Sequence, residues 1–296
     1  MEGLESVKEK FTFMKLDDAK ALMAAINKES RVLIIGAGLI GLKCAEGIYG
    51  RVKSITVVDM AGRILPSILD EDGSAMMEKH IESKGVRFIL KDSVAKFEGS
   101  TAKLKSGKTV GFDIVVVAVG VRPNTQLAES IGCKAGRGIT IDTHSATSLK
   151  DVYAAGDCCE CYDISGGVTR VLAILPNAYM QGETAGINMA GGEKTFDKAI
   201  PMNAIGFFGL HIITAGSYDG AAYVKEGGGV YKKLVAKDNL LKGYILIGDV
   251  LRAGIYTSLI REKTPLDTID FELIKEHPQL MAFKKDVRAE KLGGVK

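Results

Sequence analysis

Val32-Leu33-Ile34-Ile35-Gly36-Ala37-Gly38-Leu39-Ile40-Gly41, continuing through a helical segment to Ser54-Ile55-Thr56-Val57-Val58-Asp59, is the stretch that decides the fold. An apolar run, three glycines, a helix, a second apolar run and a terminal acid follow in the order of a dinucleotide-binding βαβ unit. Gly36 allows the tight turn off the first strand, Gly38 lets the backbone approach a pyrophosphate, and Gly41 lets helix and strand pack closely. The phosphates then meet the helix N-terminus, where unpaired N–H groups and the dipole favour negative charge. Leu39 and Ile40 belong to this cofactor-binding stretch, and with Leu42, Ala45 and Ile48 they give the helix its apolar face. The β-branched run before Asp59 suits a buried parallel strand. Asp59 itself lies 23 residues beyond Gly36, close to the roughly 20-residue spacing at which an acid meets the adenosine ribose hydroxyls. The expected ligand is NAD. Arg63, just downstream, is of the type that turns to a 2′-phosphate, so a finite preference for NADH over NADPH is expected.

With 296 residues, two or three domains are expected. The 46% hydrophobic and 25% charged content is ordinary for a globular protein, but 35 glycines exceed the average of roughly 7%. They cluster at strand ends, which points to close backbone approach rather than disorder. A net charge of +3 is too small and scattered to argue for nucleic acid or an anionic membrane. No stretch has the apolar core of a signal peptide or the length of a membrane span, so the cytoplasm is the expected compartment. Cys158-Cys159-Glu160-Cys161 has no second CxxC or HxxxH to complete a metal site, so reduced structural thiols are expected and no metal.

Along the chain, Phe11 to Met14 reads as a short strand and Asp17 to Ile26 as a helix leading into the nucleotide strand. Asp70 to Lys84 reads as an amphipathic helix opening with acids that suit its dipole. Val86 to Leu90 reads as a strand, and three alternating segments, Val94–Phe97, Thr101–Leu104 and Thr109–Phe112, as a β-meander in place of a crossover helix. Asp113 to Gly120 is an apolar strand ending in glycine, and Arg122-Pro123-Asn124 a turn out of the domain. Thr147 to Asp157 is expected to be a strand placing the Asp157 carboxylate at a sheet's carboxyl edge. Leu175-Pro176 starts a helix that runs to Met189 and stops at Gly191-Gly192. From about Ile200 antiparallel strands precede a helix over Val250–Arg261, an α+β domain. His277-Pro278 reads as a helix terminator.

Gly36-x-Gly38-x-x-Gly41, the exit Ala118-Val-Gly-Val-Arg-Pro-Asn124 and Val152-Tyr-Ala-Ala-Gly-Asp157, in this order, resemble the FAD-dependent pyridine nucleotide-disulfide oxidoreductases. The similar branch holds NADH oxidases, rubredoxin reductases, coenzyme A disulfide reductases and the flavin module of NADH nitrite reductases. The resemblance implies a fold of class α/β: a Rossmann-like NAD domain inserted in a partial FAD domain, plus a C-terminal α+β interface domain. Residues 1–27 would be a remnant of the first FAD segment, 28–120 the NAD-binding domain, 121–197 the second FAD segment and 198–296 the interface and dimerisation domain. The first FAD segment's own glycine loop is expected to lie outside this chain.

Carried over by position, Gly36, Gly38, Gly41, Asp59 and Gly120 match NAD contacts. Asp157 matches the carboxylate facing the flavin ribitol, and Leu175 and Pro176 the helix start facing the flavin pyrimidine, where a positive helix end stabilises negative charge. One departure is Lys43, where the family usually has a glutamate near the nicotinamide. The implied function is an NADH-dependent flavoprotein that passes electrons through FAD to a protein or small-molecule acceptor. The alternative is a split NAD-binding subunit whose partner chain supplies the missing FAD half. Phe207, Phe208, Leu210, Ile212 and Ile213, apolar within a short span, suggest a homodimer through the C-terminal domain.

Overall fold

The computed structural model describes residues 1–293, which form two compact units: Met1–Val121 together with Gly206–Leu210, and Arg122–Ile205 together with His211 onward.

In the first unit the elements are β1 (Lys10–Phe11), α1 (Leu16–Ala25), β2 (Arg31–Ile35), α2 (Leu39–Ile48), β3 (Ser54–Val58) and α3 (Glu71–Glu82). Then come β4 (Val86–Ile89), β5 (Val94–Glu98), β6 (Thr101–Leu104), β7 (Thr109–Gly111) and β8 (Ile114–Val117). A parallel sheet has the order β1-β8-β2-β3-β4, in the register Ile34↔Val57 and Ile34↔Val116. The expected strand near Phe11 is shorter than the sequence suggests and begins at Lys10; it pairs with β8 in this same sheet. Leu33, Ile34, Val57, Val58, Val115 and Val116 are fully buried, as strands covered on both faces require.

Strand alternation sorts the two faces. Leu33, Ile35, Val58 and Val115 pack with Phe97, Leu104 and Phe112 of the antiparallel β5-β6-β7 meander, where Phe97 and Phe112 meet edge to face at 5.6 Å. Ile34 points the other way, toward α2 at Gly41. Asp70 caps α3 by accepting the Gly73 N–H at 3.0 Å, with Glu71 and Asp72 in the first turn as the dipole favours.

The second unit contains α4 (Gln126–Ser130), β9 (Ile139–Thr140), β10 (Cys159–Asp163), β11 (Val168–Val171) and α5 (Leu175–Met189). Then come β12 (Met202–Phe207) and β13 (Leu210–Gly216), whose Gly206, Phe207 and Leu210 are counted with the first unit, followed by β14 (Ala221–Gly227), β15 (Val230–Lys237), β16 (Leu240–Ile247), α6 (Ala253–Arg261), α7 (Phe271–Glu276) and α8 (Lys285–Leu292). One sheet is β11-β10-β9; the other is antiparallel, β12-β13-β16-β15-β14. Tyr244 and Leu246 of β16 bury against Tyr256, Leu259 and Ile260 of α6. The two tyrosine hydroxyls are satisfied, Tyr244 with Thr257 Oγ1 at 2.7 Å and Tyr256 on the Ile274 carbonyl at 2.9 Å.

Two expectations are corrected. Thr147 to Asp157 is not a strand: it forms an isolated bridge, Ala146↔Tyr153, and the continuous ladder starts only at Cys159. A short run of strand formers such as Val152-Tyr153 becomes a strand only where a neighbour pairs with it over several residues, and this one meets a turn instead. The helix expected from Val250 starts at Ala253, because Arg252 is left-handed at φ 60°. In the Phe207–Ile213 span Phe207 and Ile212 are fully buried, Phe208 is edge-on to Tyr49 at 5.3 Å, and Leu210 and Ile213 are half-buried.

Candidate cofactor sites

The glycine loop of the first unit is tightly specified by its neighbours. Gly36 adopts φ +114°, and a Cβ there would stand 2.3 Å from the Ala118 carbonyl oxygen. Gly41 has helical backbone, but its Cβ would stand 2.0 Å from the Gly36 carbonyl oxygen. These glycines let β2, α2 and the β8 exit touch. Gly38 differs: a Cβ there meets nothing within 4 Å. Gly38 is also the N-cap of α2 with no side-chain capping bond, so the first-turn N–H groups at Leu39 and Ile40 face that open space. Open volume above a bare helix start fits a pyrophosphate.

Asp59, half-buried at the end of β3, is engaged more closely than its spacing alone indicated. One carboxylate oxygen accepts the Ala37 N–H at 2.6 Å and the other the Ala61 N–H at 2.7 Å. It therefore ties the glycine loop to the next strand. A carboxylate has about four acceptor positions, so two are left for ribose hydroxyls. Gly120, exposed at φ +98°, follows Ala118, whose N–H bonds to the Ile35 carbonyl at 2.8 Å. The structure thus brings Gly36, Gly38, Leu39, Ile40, Gly41 and Asp59 together, with Gly120 close beyond the β8 exit.

Lys43, on the exposed side of α2, pairs with Glu46 and donates to the Gly206 carbonyl at 3.0 Å. Glu46 in turn accepts the Phe208 N–H at 2.6 Å. Both charges are engaged with the Gly206–Leu210 segment of this same unit, so Lys43 is a bonded residue rather than a freely solvated one. Sequence gave no cue to this, because Gly206 lies far from Lys43 along the chain.

In the second unit Gly156, at φ +90°, makes the turn that exposes Asp157. Its N–H donates to Gln181 Oε1 at 2.8 Å, and its Cα faces Ala178, with a built Cβ only 3.7 Å from that side chain. Asp157 is thereby held beside the first half of α5, which begins at Leu175 and Pro176. Leu175 is 86% exposed, and the N-cap, Ile174, makes no side-chain bond. An exposed acid next to an uncapped helix start fits a ligand with hydroxyls at one end and an acidic ring at the other, as the resemblance implies for FAD. Sequence reasoning missed Gln181, the residue that anchors this turn. A signal existed: Asn177, Gln181 and Thr184 recur at helical spacing and all are buried, an unusual polar face.

Comparison with known proteins agrees with this architecture. A family model described as pyridine nucleotide-disulphide oxidoreductase matches residues 1–182, and one described as the rubredoxin NAD+ reductase C-terminal domain matches residues 201–264. The chain belongs to the pyridine nucleotide-disulphide oxidoreductase family, whose members imply NAD(H) and FAD as cofactors. It is 30% identical over 268 residues to the NADH-dependent phenylglyoxylate dehydrogenase subunit epsilon of Aromatoleum evansii, covering 85% of this chain and 62% of that protein. It is 35% identical over 192 residues to an NADH oxidase of Methanocaldococcus jannaschii, covering 63% of this chain and 43% of that protein. It spans less than two thirds of the length of these relatives. Among solved structures, an NAD-dependent persulfide reductase from A. fulgidus superposes with TM-score 0.79 at 26% identity, over 91% of this chain and 55% of that one. No helix among the described residues is long and apolar enough to cross a membrane.

Proposed function

We propose that the chain is the NADH-binding and flavin-contacting part of an NADH-dependent flavoprotein oxidoreductase. The observation that carries this reading is the open space above Gly38 at the uncapped start of α2, bounded by Asp59. Leu39 and Ile40 supply N–H groups to the pyrophosphate, and Asp59 accepts the adenosine ribose hydroxyls while holding the loop. Asp157 accepts from the flavin ribitol, and the α5 start at Leu175 and Pro176 places a positive helix end toward the flavin pyrimidine. FAD, when bound, supplies the acceptor for the hydride of NADH. The C-terminal match favours a small redox protein as the final acceptor.

Gly38→Ala tests the reading, because its methyl enters only the space assigned to the pyrophosphate. Titration with NADH is expected to show at least tenfold weaker binding, about 1.4 kcal/mol, while thermal unfolding shifts little. Unchanged NADH affinity in this variant would remove the assignment.

A further inference from the structure

Cys158, Cys159 and Cys161 sit where the Gly156–Asp157 turn enters β10. Strand alternation places Cys159 and Cys161 on the buried side with Asp163, whereas Cys158, the last residue of the turn, is partly exposed. The Sγ atoms of Cys158 and Cys159 lie 3.8 Å apart, in contact. Cys158 Sγ–H also donates to the Ala155 carbonyl at 3.6 Å, closing the turn around Asp157. Among the described residues no group of three or more His, Cys, Asp or Glu side chains is placed to hold a metal ion, so the pair is not a corner of such a site.

We propose that Cys158 and Cys159 form a redox-active vicinal dithiol, a modification site at which hydrogen peroxide closes a disulfide between consecutive residues. Cys158, the accessible thiol, attacks the peroxide: an S–O bond forms, the O–O bond breaks, and the departing oxygen leaves as water with the Cys158 proton. Cys159 Sγ then attacks the Cys158 sulfur: the S–S bond forms, the S–O bond breaks, and the hydroxyl leaves as a second water with the Cys159 proton. Two thiols are oxidised by two electrons and one peroxide is reduced to two waters. Burial pushes the Cys159 thiol and the Cys161 thiol up, the latter to about 11, so both are poor first attackers and Cys158 leads.

The ring this makes is tight. Consecutive Cα atoms are about 3.8 Å apart across a trans peptide, short of the roughly 4.4 Å at which ordinary disulfides begin. Strained disulfides are the readily reduced ones, so closure is reversible by a small thiol. Closure also removes the S–H donor to Ala155, which loosens the turn that presents Asp157.

The test uses the full chain, reduced and then exposed to hydrogen peroxide, with intact mass, peptide mapping and amide exchange as readouts. The expected result is a loss of two hydrogens located at Cys158–Cys159, reversed by dithiothreitol, with several-fold faster amide exchange at residues 155–158. Cys161→Ser keeps the mass loss and Cys158→Ser, at a partly exposed position, abolishes it. In Cys159→Ser the reaction stops at a Cys158 sulfenic acid that dimedone traps. Gain of oxygen without loss of hydrogens in the parent chain, or a loss of two hydrogens persisting in Cys158→Ser, overturns the proposal.

Discussion

Gly36 and Gly156 each turn the backbone through a positive φ, +114° and +90°, and each has an aspartate beside it; what surrounds them differs. Around Gly36 the backbone packs tightly: carbonyl oxygens occupy the places of the missing Cβ atoms of Gly36 and Gly41, both oxygens of Asp59 hold backbone N–H groups, and the open space lies only above Gly38. Around Gly156 the nearest atom to a missing Cβ is at 3.7 Å, and Asp157 faces solvent with no hydrogen bond among the described residues. A residue pattern of glycine plus acid therefore specifies two kinds of site. One is a packed scaffold with a single opening; the other is a turn that presents a carboxylate.

The largest expected effect comes from filling the packed site. Gly41→Ala drives a methyl to 2.0 Å from a backbone carbonyl that cannot retreat without separating α2 from β2. A loss of about 3 kcal/mol or more in urea unfolding is expected, against about 1 kcal/mol for Gly156→Ala, where only the left-handed backbone resists. Equal losses in the two variants would break the comparison.

This contrast also explains what could be read in the sequence. The βαβ unit, the meander and α5 were legible because glycine spacing, strand alternation and the Pro176 start are local signals. The Asp59 tether to Ala37 and the Gln181 anchor of Gly156 were not, because each joins residues brought together only by the finished sheet or by packing against α5. The segment before Asp157 misled for a related reason. Val152 and Tyr153 are strand formers, but whether they pair is decided by residues elsewhere.

Asp59→Asn sharpens the scaffold side. An amide has one carbonyl oxygen where the carboxylate has two, so one of the Ala37 and Ala61 N–H groups loses its acceptor, costing about 1 to 3 kcal/mol. Nucleotide choice changes too. At about 5 Å and an effective dielectric near 20, the carboxylate repels each charge of a 2′-phosphate by roughly 3 kcal/mol before screening. We expect the parent chain to prefer NADH by about ten- to a hundredfold and Asp59→Asn to bring the ratio near one. Equal affinities in the parent chain would mean that Asp59 serves the loop alone.

Asp113 provides a third case, an acid held by a charge instead of backbone N–H groups alone. Arg31 donates from Nη2 at 2.7 Å, from Nε at 3.0 Å and from its backbone N–H at 2.8 Å, and these bonds hold the carboxyl down at about 2 from an ordinary 3.8. A carboxyl depressed in the folded state adds stability above its ordinary value, and the contribution is lost as pH falls through about 2. Both side chains are more than two-fifths exposed, so solvent screening keeps the effect to about 1 kcal/mol or less. Unfolding measured between pH 5 and pH 2 should show a correspondingly shallower acid slope in Asp113→Asn than in the parent chain.

The smallest expected effect is at the open site. Asp157 touches nothing that its carboxylate stabilises, so Asp157→Asn should leave urea unfolding within about 0.5 kcal/mol of the parent chain. The Gly156 turn keeps its bond to Gln181 and its contact with α5, and asparagine is tolerated beside a left-handed glycine as well as aspartate is. Against that unchanged fold, any loss of flavin affinity in a fluorescence titration belongs to the lost charge and acceptor. A destabilisation above about 1 kcal/mol would show instead that Asp157, like Asp59, is part of a scaffold, and the distinction between the two turns would fall.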